Sequence, residues 1–308
     1  MLKNIMVDVK SLLKRYGSHT AVNGVSFQVE KGEVFGLLGP NGAGKTTTIE
    51  MLVGLRKPDE GTAALAGFDV KKEVNKVKEV IGVQLQSTSL FELLKVNEIL
   101  QLYGSFYPSH VNIDELIDEM LLTEKKNARI KGLSGGQKQR LAIALALIHD
   151  PQIVFLDEPT TGLDPQARRT LWDIVLRLKD RGKTVILSTH YMDEAHVLCD
   201  RIGIMDQGEL IALDTPDNLV KKLQSTSTIE FHLSNPPEKE LLLNLNGVKD
   251  VSIKDTFIQL YTDDLQTALT SLIQASTELL FKIEDLQTRL ATLEDVFIHM
   301  TGRSIRES

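Results

Sequence analysis

The segment VFGLLGPNGAGKTT (34–47) constrains this chain more than any other. A short apolar run ends in glycine, and Gly39, Gly44, Lys45 and Thr46 then fill the pattern GxxxxGK(S/T). Each position has a physical reason. Glycines let the backbone turn so that several N–H groups point at phosphate oxygens. A helix opening at Gly44 adds the positive end of its dipole. Lys45 places a cation on the β and γ phosphates, and Thr46 offers a hydroxyl to Mg2+. Pro40, Asn41, Gly42, Ala43 and Thr47 complete the predicted cradle. At ordinary residue frequencies the pattern arises in roughly one chain in a hundred of this length. A strand before it and a helix after it separate a phosphate site from a mere glycine-rich turn.

The surrounding pattern is that of an α/β fold. VNGVSFQVEKGEV (22–34) alternates like a strand and carries a Lys31-Gly32 turn. IVFLDEP (153–159) and TVILST (184–189) are continuous apolar runs of strand length, as in parallel strands covered on both faces. Between them, Leu171, Ile174, Val175 and Leu178 fall at helical spacing, with Pro165 at the start and Gly182 just past the end. Strand, helix, strand is a βαβ unit. Asp157 and Glu158 then stand at the carboxyl end of a strand, where open α/β sheets bind ligands. A lone Asp-Glu pair would read as a solvated acidic turn. Beside a phosphate loop, Asp157 is suited to hold Mg2+ and Glu158 to polarise an attacking water.

Length and charge divide the rest. At 308 residues the chain has room for one large domain or two smaller ones. Its apolar share of 42% and charged share of 25% are those of a globular protein. A net charge of -7 argues against a bulk nucleic-acid binder. The longest apolar run, LAIALALI (141–148), falls far short of the ~18 residues needed to span a bilayer. The N-terminus lacks a signal-peptide pattern, and Cys199 is the single cysteine, so a soluble protein of the reducing cytosol is expected. His196 and Cys199 share one stretch, but two ligands are too few for a metal. Residues 225–308 carry 7 basic and 13 acidic residues, which is most of the acid excess. The polar cluster in LVKKLQSTST (219–228) marks a linker, with domains expected at 1–224 and 225–308. In the second, TIEFHL, VKDVSI and FIQLYT predict strands, LLLNL and 263–278 helices, and LLFKIED (279–285) a last strand. The order β-α-β-β-α-β predicts a small ferredoxin-like α+β domain. A final amphipathic helix follows, with Thr292 and Asp295 spaced as a capping box.

LSGGQKQRL (133–141) closely resembles the signature motif of ATP-binding cassette ATPases. With GPNGAGKTT, IVFLDEP, TGLD (161–164) and STH (188–190) in the family's order, five motifs agree over roughly residues 5–220. The resemblance implies a P-loop NTPase cassette with a RecA-like core, an antiparallel β subdomain and a helical subdomain, binding ATP and Mg2+. It implies that Tyr16 in KRYG stacks on adenine. Gln86 in GVQLQST matches the glutamine that senses Mg2+ or the lytic water. Gln84 competes for that role, but Gln86 sets LFELLKVNEIL (90–100) at the family's usual distance. Lys95 departs from the pattern, since a helix-capping threonine is common there. Ser134, Gly135 and Gly136 match the residues that close over the γ-phosphate held by a second subunit, with Asp164 across that interface. His190 matches the switch histidine. Metal contacts would come from Thr46, Gln86 and Asp157, and catalysis from Glu158, His190 and Gln86.

The same resemblance implies partners: a second ATP-binding subunit, in a homodimer or a heterodimer, and integral-membrane permease subunits. The chain would then sit on the inner face of the cell membrane, with no nucleic acid expected. The alternative is a soluble cassette ATPase acting on nucleic acid or ribosomes, or an importer cassette. Against the former, Lys45 and Leu133 are only 88 residues apart with no sustained heptads, and one phosphate loop and one signature are present. TLEDVFIHMTGR (292–303) resembles the end of cassette subunits from type-2 exporters, the group of daunorubicin-type drug, lipid, antibiotic and polysaccharide exporters.

Overall fold

The computed structural model describes residues 4–86, 90–223, 227–278 and 280–301. Residues 224–226 of the expected linker, Leu279, and Gly302 and Arg303 of the C-terminal motif lie outside the described residues. The chain forms two compact units that divide between Thr215 and Pro216.

The first unit opens with two long strands, β1 (Ile5–Tyr16) and β2 (His19–Glu30), which pair antiparallel. The Lys31-Gly32 turn leads into β3 (Val34–Leu38), every residue of which is buried. The phosphate loop follows, then α1 (Lys45–Leu52). β4 (Glu60–Leu65) returns beside β1, and β5 (Phe68–Asp69) completes an antiparallel sheet ordered β2-β1-β4-β5. α2 (Val74–Val80) leads to β6 (Ile81–Gln84). The helical stretch comprises α3 (Val96–Gly104), α4 (Ile113–Glu119) and α5 (Gly135–Leu147). β7 (Ile153–Asp157), α6 (Pro165–Asp180) and β8 (Thr184–Thr189) realise the expected βαβ unit. α7 (Met192–Leu198), β9 (Arg201–Asp206) and β10 (Glu209–Asp214) close the unit.

The main sheet is ordered β10-β9-β3-β8-β7-β6, with parallel pairing throughout except at the β10 edge. β7 and β8 are buried at every position, which is why their sequences run apolar without alternation. One core joins both sheets: Phe27 of β2 stacks on Phe35 of β3 with ring centroids 4.8 Å apart. At α3, Lys95 takes the N-cap position, and its own N–H donates to the Glu98 carboxylate at 2.8 Å. Half of a capping box thus survives without the threonine.

The second unit begins with α8 (Pro216–Lys221), then runs β11 (Ser227–His232), α9 (Lys239–Leu243), β12 (Val248–Lys254), β13 (Phe257–Thr262), α10 (Leu265–Glu278), β14 (Glu284–Leu290) and α11 (Leu293–Thr301). Its antiparallel sheet is ordered β12-β13-β11-β14, the arrangement expected of a ferredoxin-like unit. Ile229, Phe231, Ile258 and Leu260 pack beneath Leu242, Ala268 and Leu272. Three expectations need correction. Residues 216–223 belong with this unit and not with the first, because α8 packs against α11. The last strand is 284–290 rather than 279–285. Leu280 is 90% exposed, and Phe281 and Ile283 pack on the core from an irregular segment. The capping box at Thr292 is one-sided, because its N–H (2.7 Å) and its hydroxyl (2.9 Å) both donate to Asp295 Oδ2.

The polar face of that sheet carries a connected network. Arg289 of β14 donates to Glu230 Oε1 at 2.6 Å and chelates both oxygens of the buried Asp295. Gln259 also donates to Glu230, and the Tyr261 hydroxyl donates to Gln259. Burial pushes the Asp295 carboxyl up, but the Arg289 and Thr292 bonds outweigh it and hold the group below its ordinary value.

Candidate nucleotide site

Four neighbouring strands of the main sheet, β3, β8, β7 and β6, deliver their carboxyl ends to one edge. Gly39 follows β3, His190 follows β8, Glu158 follows β7, and Gln86 lies two residues past β6. Parallel order therefore brings together residues that are up to 151 positions apart in sequence, from Gly39 to His190.

The phosphate loop needs its glycines for space as well as for conformation. A Cβ on Gly39 would lie 2.3 Å from the Met205 carbonyl oxygen. Gly44 caps α1 with φ 98°, and a Cβ there would lie 2.4 Å from the Ala21 oxygen. Lys45 is 4% exposed, and its ammonium donates to the Gly39 and Pro40 carbonyls at 2.9 Å each. It also stands 3.5 Å from Glu158 Oε1. Burial lowers the Lys45 pKa, partly opposed by the Glu158 charge.

Asp157 is fully buried. Its Oδ1 accepts hydrogen bonds from Ser188 and, at 3.2 Å, from the Thr46 hydroxyl. Its Oδ2 is buried without a partner. Burial raises its pKa, opposed by those two bonds. Glu158 adopts φ 48°, a left-handed conformation that an L-residue holds only under constraint. The constraint is visible: its N–H donates to Ser188 Oγ at 3.0 Å. This turn aims the carboxylate back into the site. Gln86 Nε2 and Thr161 Oγ1 each donate to Glu158 Oε2 at 3.1 Å, and His190 Nδ1 lies 3.5 Å from Oε1. Gln84 is buried at the end of β6 and donates to the Leu85 carbonyl at 2.7 Å, so of the two candidates it is Gln86 that reaches Glu158.

Tyr16 ends β1 with an exposed ring, flanked by Arg56 and Lys14 at 5.5 and 5.6 Å from its centroid. Ser134, Gly135 and Gly136 form a different group. Ser134 caps α5 in a full capping box with Gln137, leaving amides of the first turn open to an anion. A Cβ on Gly136 would lie 2.9 Å from the Ala167 side chain, so this turn packs directly on the start of α6. Asp164 caps that helix, accepting from the Gln166 and Ala167 amides. Cys199 is buried against Gly36, and burial raises its thiol pKa. Among the described residues no metal-holding group of histidines, cysteines and carboxylates occurs.

Sequence reasoning missed three contributors. Ser188 ties Asp157 to Glu158, and Thr161 holds the Glu158 carboxylate. Glu194 of α7 is fully buried and accepts from the Trp172 indole at 3.1 Å. Burial raises its pKa, partly opposed by the Trp172 indole. The first two lie inside motifs already recognised. Glu194 follows Asp193 in an ordinary helical sequence, and nothing local distinguishes the buried acid from the exposed one.

The arrangement defines an ATP-hydrolysing cassette, and comparison with known proteins agrees. Residues 22–161 match the family model described as ABC transporter. The chain is 38% identical to the linearmycin resistance ATP-binding protein LnrL of Bacillus subtilis (strain 168), over 98% of this chain and 100% of that one. It is 38% identical to the Nod factor export ATP-binding protein I of Burkholderia lata, over 98% of each chain. Among solved structures it resembles the ADP conformation of MJ1267, an ATP-binding cassette of an ABC transporter. The TM-score there is 0.63 at 26% identity, covering 70% of this chain and 92% of that one. A dimeric structure of MJ0796, a bacterial ABC transporter cassette, matches with TM-score 0.62 at 27% identity, over 68% and 98%. This chain belongs to the family of ABC transporter ATP-binding subunits, and it is an ATPase.

Proposed function

We propose that the chain powers export of a small organic substrate through separate membrane subunits, in the class of antibiotic, drug, lipid or oligosaccharide exporters. The observation that carries this reading is the match along the whole chain, C-terminal unit included, to proteins named for antibiotic resistance and Nod factor export. No helix among the described residues is long and apolar enough to cross a membrane.

ATP lies with its phosphates in residues 39–47, held by backbone amides and by Lys45, and its adenine on Tyr16. The residues fit Mg2+: Asp157 Oδ2 is buried and unpartnered, and the Thr46 hydroxyl reaches the other oxygen of the same carboxylate. Bound there with Gln86, Mg2+ supplies charge neutralisation for the phosphates. Glu158 accepts a proton from the attacking water, while Gln86 and Thr161 fix the orientation of its carboxylate. His190 faces the γ-phosphate and Glu158 together. Ser134, Gly135 and Gly136 close over the γ-phosphate held by a second ATP-binding subunit, with Asp164 at the same seam. Each hydrolysis event then allows the pair to reopen. The role places the chain on the inner face of the membrane.

Tagging the chain and purifying it from its native membranes tests the reading. The expected product is a stable complex with a permease subunit and no substrate-binding protein. Recovery with an extracytoplasmic substrate-binding protein would make it an importer cassette, and recovery with ribosomes would end the transport reading.

A further inference from the structure

The imidazole of His190 is not aimed by a hydrogen bond at its inner nitrogen. Nδ1 is buried with no hydrogen-bond partner and stands 3.5 Å from Glu158 Oε1. A ring that serves a phosphate has to be directed, because a misplacement of about 1 Å can cost about 10²-fold in rate. Packing has to supply that direction.

The packing comes from the next residue. The rings of His190 and Tyr191 have centroids 4.1 Å apart at an interplanar angle of 40°. Successive side chains of a strand point to opposite faces, so this contact needs the chain to turn. The turn lies at the end of β8, where the Tyr191 N–H donates to Thr189 Oγ1 at 2.9 Å. The Tyr191 ring in turn carries Arg168 of α6. The guanidinium carbon lies 4.2 Å from the ring centroid, well inside the roughly 6 Å reach of a cation–π contact.

Arg168 is held by that ring more than by its ion pair. Its Nε is buried without a hydrogen-bond partner, and its Nη1 stands 3.5 Å from Asp193 Oδ2. The Asp193 side chain is 59% exposed, and an ion pair open to solvent contributes little. The helix that bears Arg168 is fixed at both levels. Asp164 caps its start, and Ala167 lies against Gly136 too closely to admit a Cβ there. One turn beyond Arg168, the Trp172 indole donates to the buried Glu194 of α7 at 3.1 Å.

We propose that Arg168 and Tyr191 are positioning residues for ATP hydrolysis: the guanidinium fixes the phenol ring, and the phenol ring directs the His190 imidazole. The inference rests on the reading of His190 as the residue that faces the γ-phosphate. Neither Arg168 nor Tyr191 belongs to the set that holds ATP, so losing either should act on turnover and spare binding.

Steady-state hydrolysis by the full-length protein over a range of ATP concentrations tests this, with H190A as the reference. Y191L and R168Q should each lower kcat about tenfold to a hundredfold, with KM for ATP within about twofold of the parent. Y191F keeps the ring and should restore kcat. D193N removes the ion pair, leaves the stack, and should match the parent. R168Q alters a partly exposed side chain and carries the test alone if Y191L does not fold. The proposal is overturned if R168Q keeps kcat within about twofold of the parent while H190A loses it. An equal loss in D193N, an equal loss in Y191F, or a loss confined to KM would also overturn it. Parent-like kcat in H190A would instead remove the reading of His190 on which the inference rests.

Discussion

Glu158→Gln is the substitution that separates nucleotide binding from chemistry most cleanly. The side chain keeps its size, and its remaining carbonyl oxygen can still accept from Gln86 or Thr161, both at 3.1 Å in the parent. What it loses is basicity. General-base catalysis contributes about 10²–10⁴-fold, so single-turnover hydrolysis should slow by that factor. It also loses a charge. Lys45 and Glu158 are both buried at 3.5 Å, where the Coulomb attraction is at most about 5 kcal/mol at an effective dielectric of 20. Desolvation of the pair offsets much of this. When ATP arrives, its phosphates take over as the partners of Lys45, and one negative charge facing them is gone. ATP affinity should therefore hold or tighten, and ATP-loaded protein should run as a dimer in size-exclusion chromatography. A fluorescent ATP analogue measures the affinity, and quenched-flow follows the hydrolysis. Hydrolysis within tenfold of the parent rate would remove Glu158 as the base. ATP affinity weakened more than tenfold would show instead that the carboxylate holds the loop together.

Three further outcomes follow from the same geometry. Tyr16→Ala should weaken ATP binding roughly fivefold to 150-fold, the range of about 1–3 kcal/mol for one stacked base, and a change under twofold in the analogue titration would end the stacking assignment. Glu194 has its pKa raised by burial, so its ionisation opposes folding. The stability contributed by its protonated form is present below the unfolded value near 4.5 and lost as pH rises through the raised folded value. Glu194→Gln should accordingly melt higher than the parent at pH 8, and the gap should close as pH falls towards the unfolded value; a gap that stays constant over that range would refute the burial of an ionising group there. Asp295→Ala leaves Arg289 without its chelating partner, and a loss of roughly 3 kcal/mol is expected, seen as faster hydrogen exchange confined to β14 and α11; unchanged exchange there would refute the network's structural role.

What the sequence disclosed depended on how local each arrangement was. The phosphate loop was legible because its glycines, lysine and threonine act on one another within nine residues. β7 and β8 were legible because burial on both faces writes an unbroken apolar run. β14 was misplaced because the apolar run LLFKI precedes the strand, while the strand itself, EDLQTRL, is mostly exposed and carries its one structural anchor in Arg289. The contacts of Glu158 were only partly legible. Family order suggested Gln86 and His190, but the left-handed turn at Glu158 and the Ser188 bond that holds it arise from strands brought together by the sheet. Gln84 and Gln86 are indistinguishable by composition, and the end of β6 between them decides which one points inward to the core and which one reaches the carboxylate.

The central position of β3 has a consequence for biosynthesis. Its two neighbours, β8 and β9, are encoded about 150 residues downstream. A nascent chain that has just completed Lys45 has a phosphate loop with no walls. At about 5–20 residues per second, the 145 residues from Lys45 to His190 take roughly 7–30 s to be made. During that interval cellular ATP has nothing complete to bind, so the nucleotide cannot template the early fold. The apolar β3 segment has neither sheet neighbour until the strand that carries Ser188 and Thr189 emerges. Stabilisation by ATP enters late in the life of each new chain, and a pulse-labelled nascent chain stalled before residue 190 should be as protease-sensitive with ATP as without it.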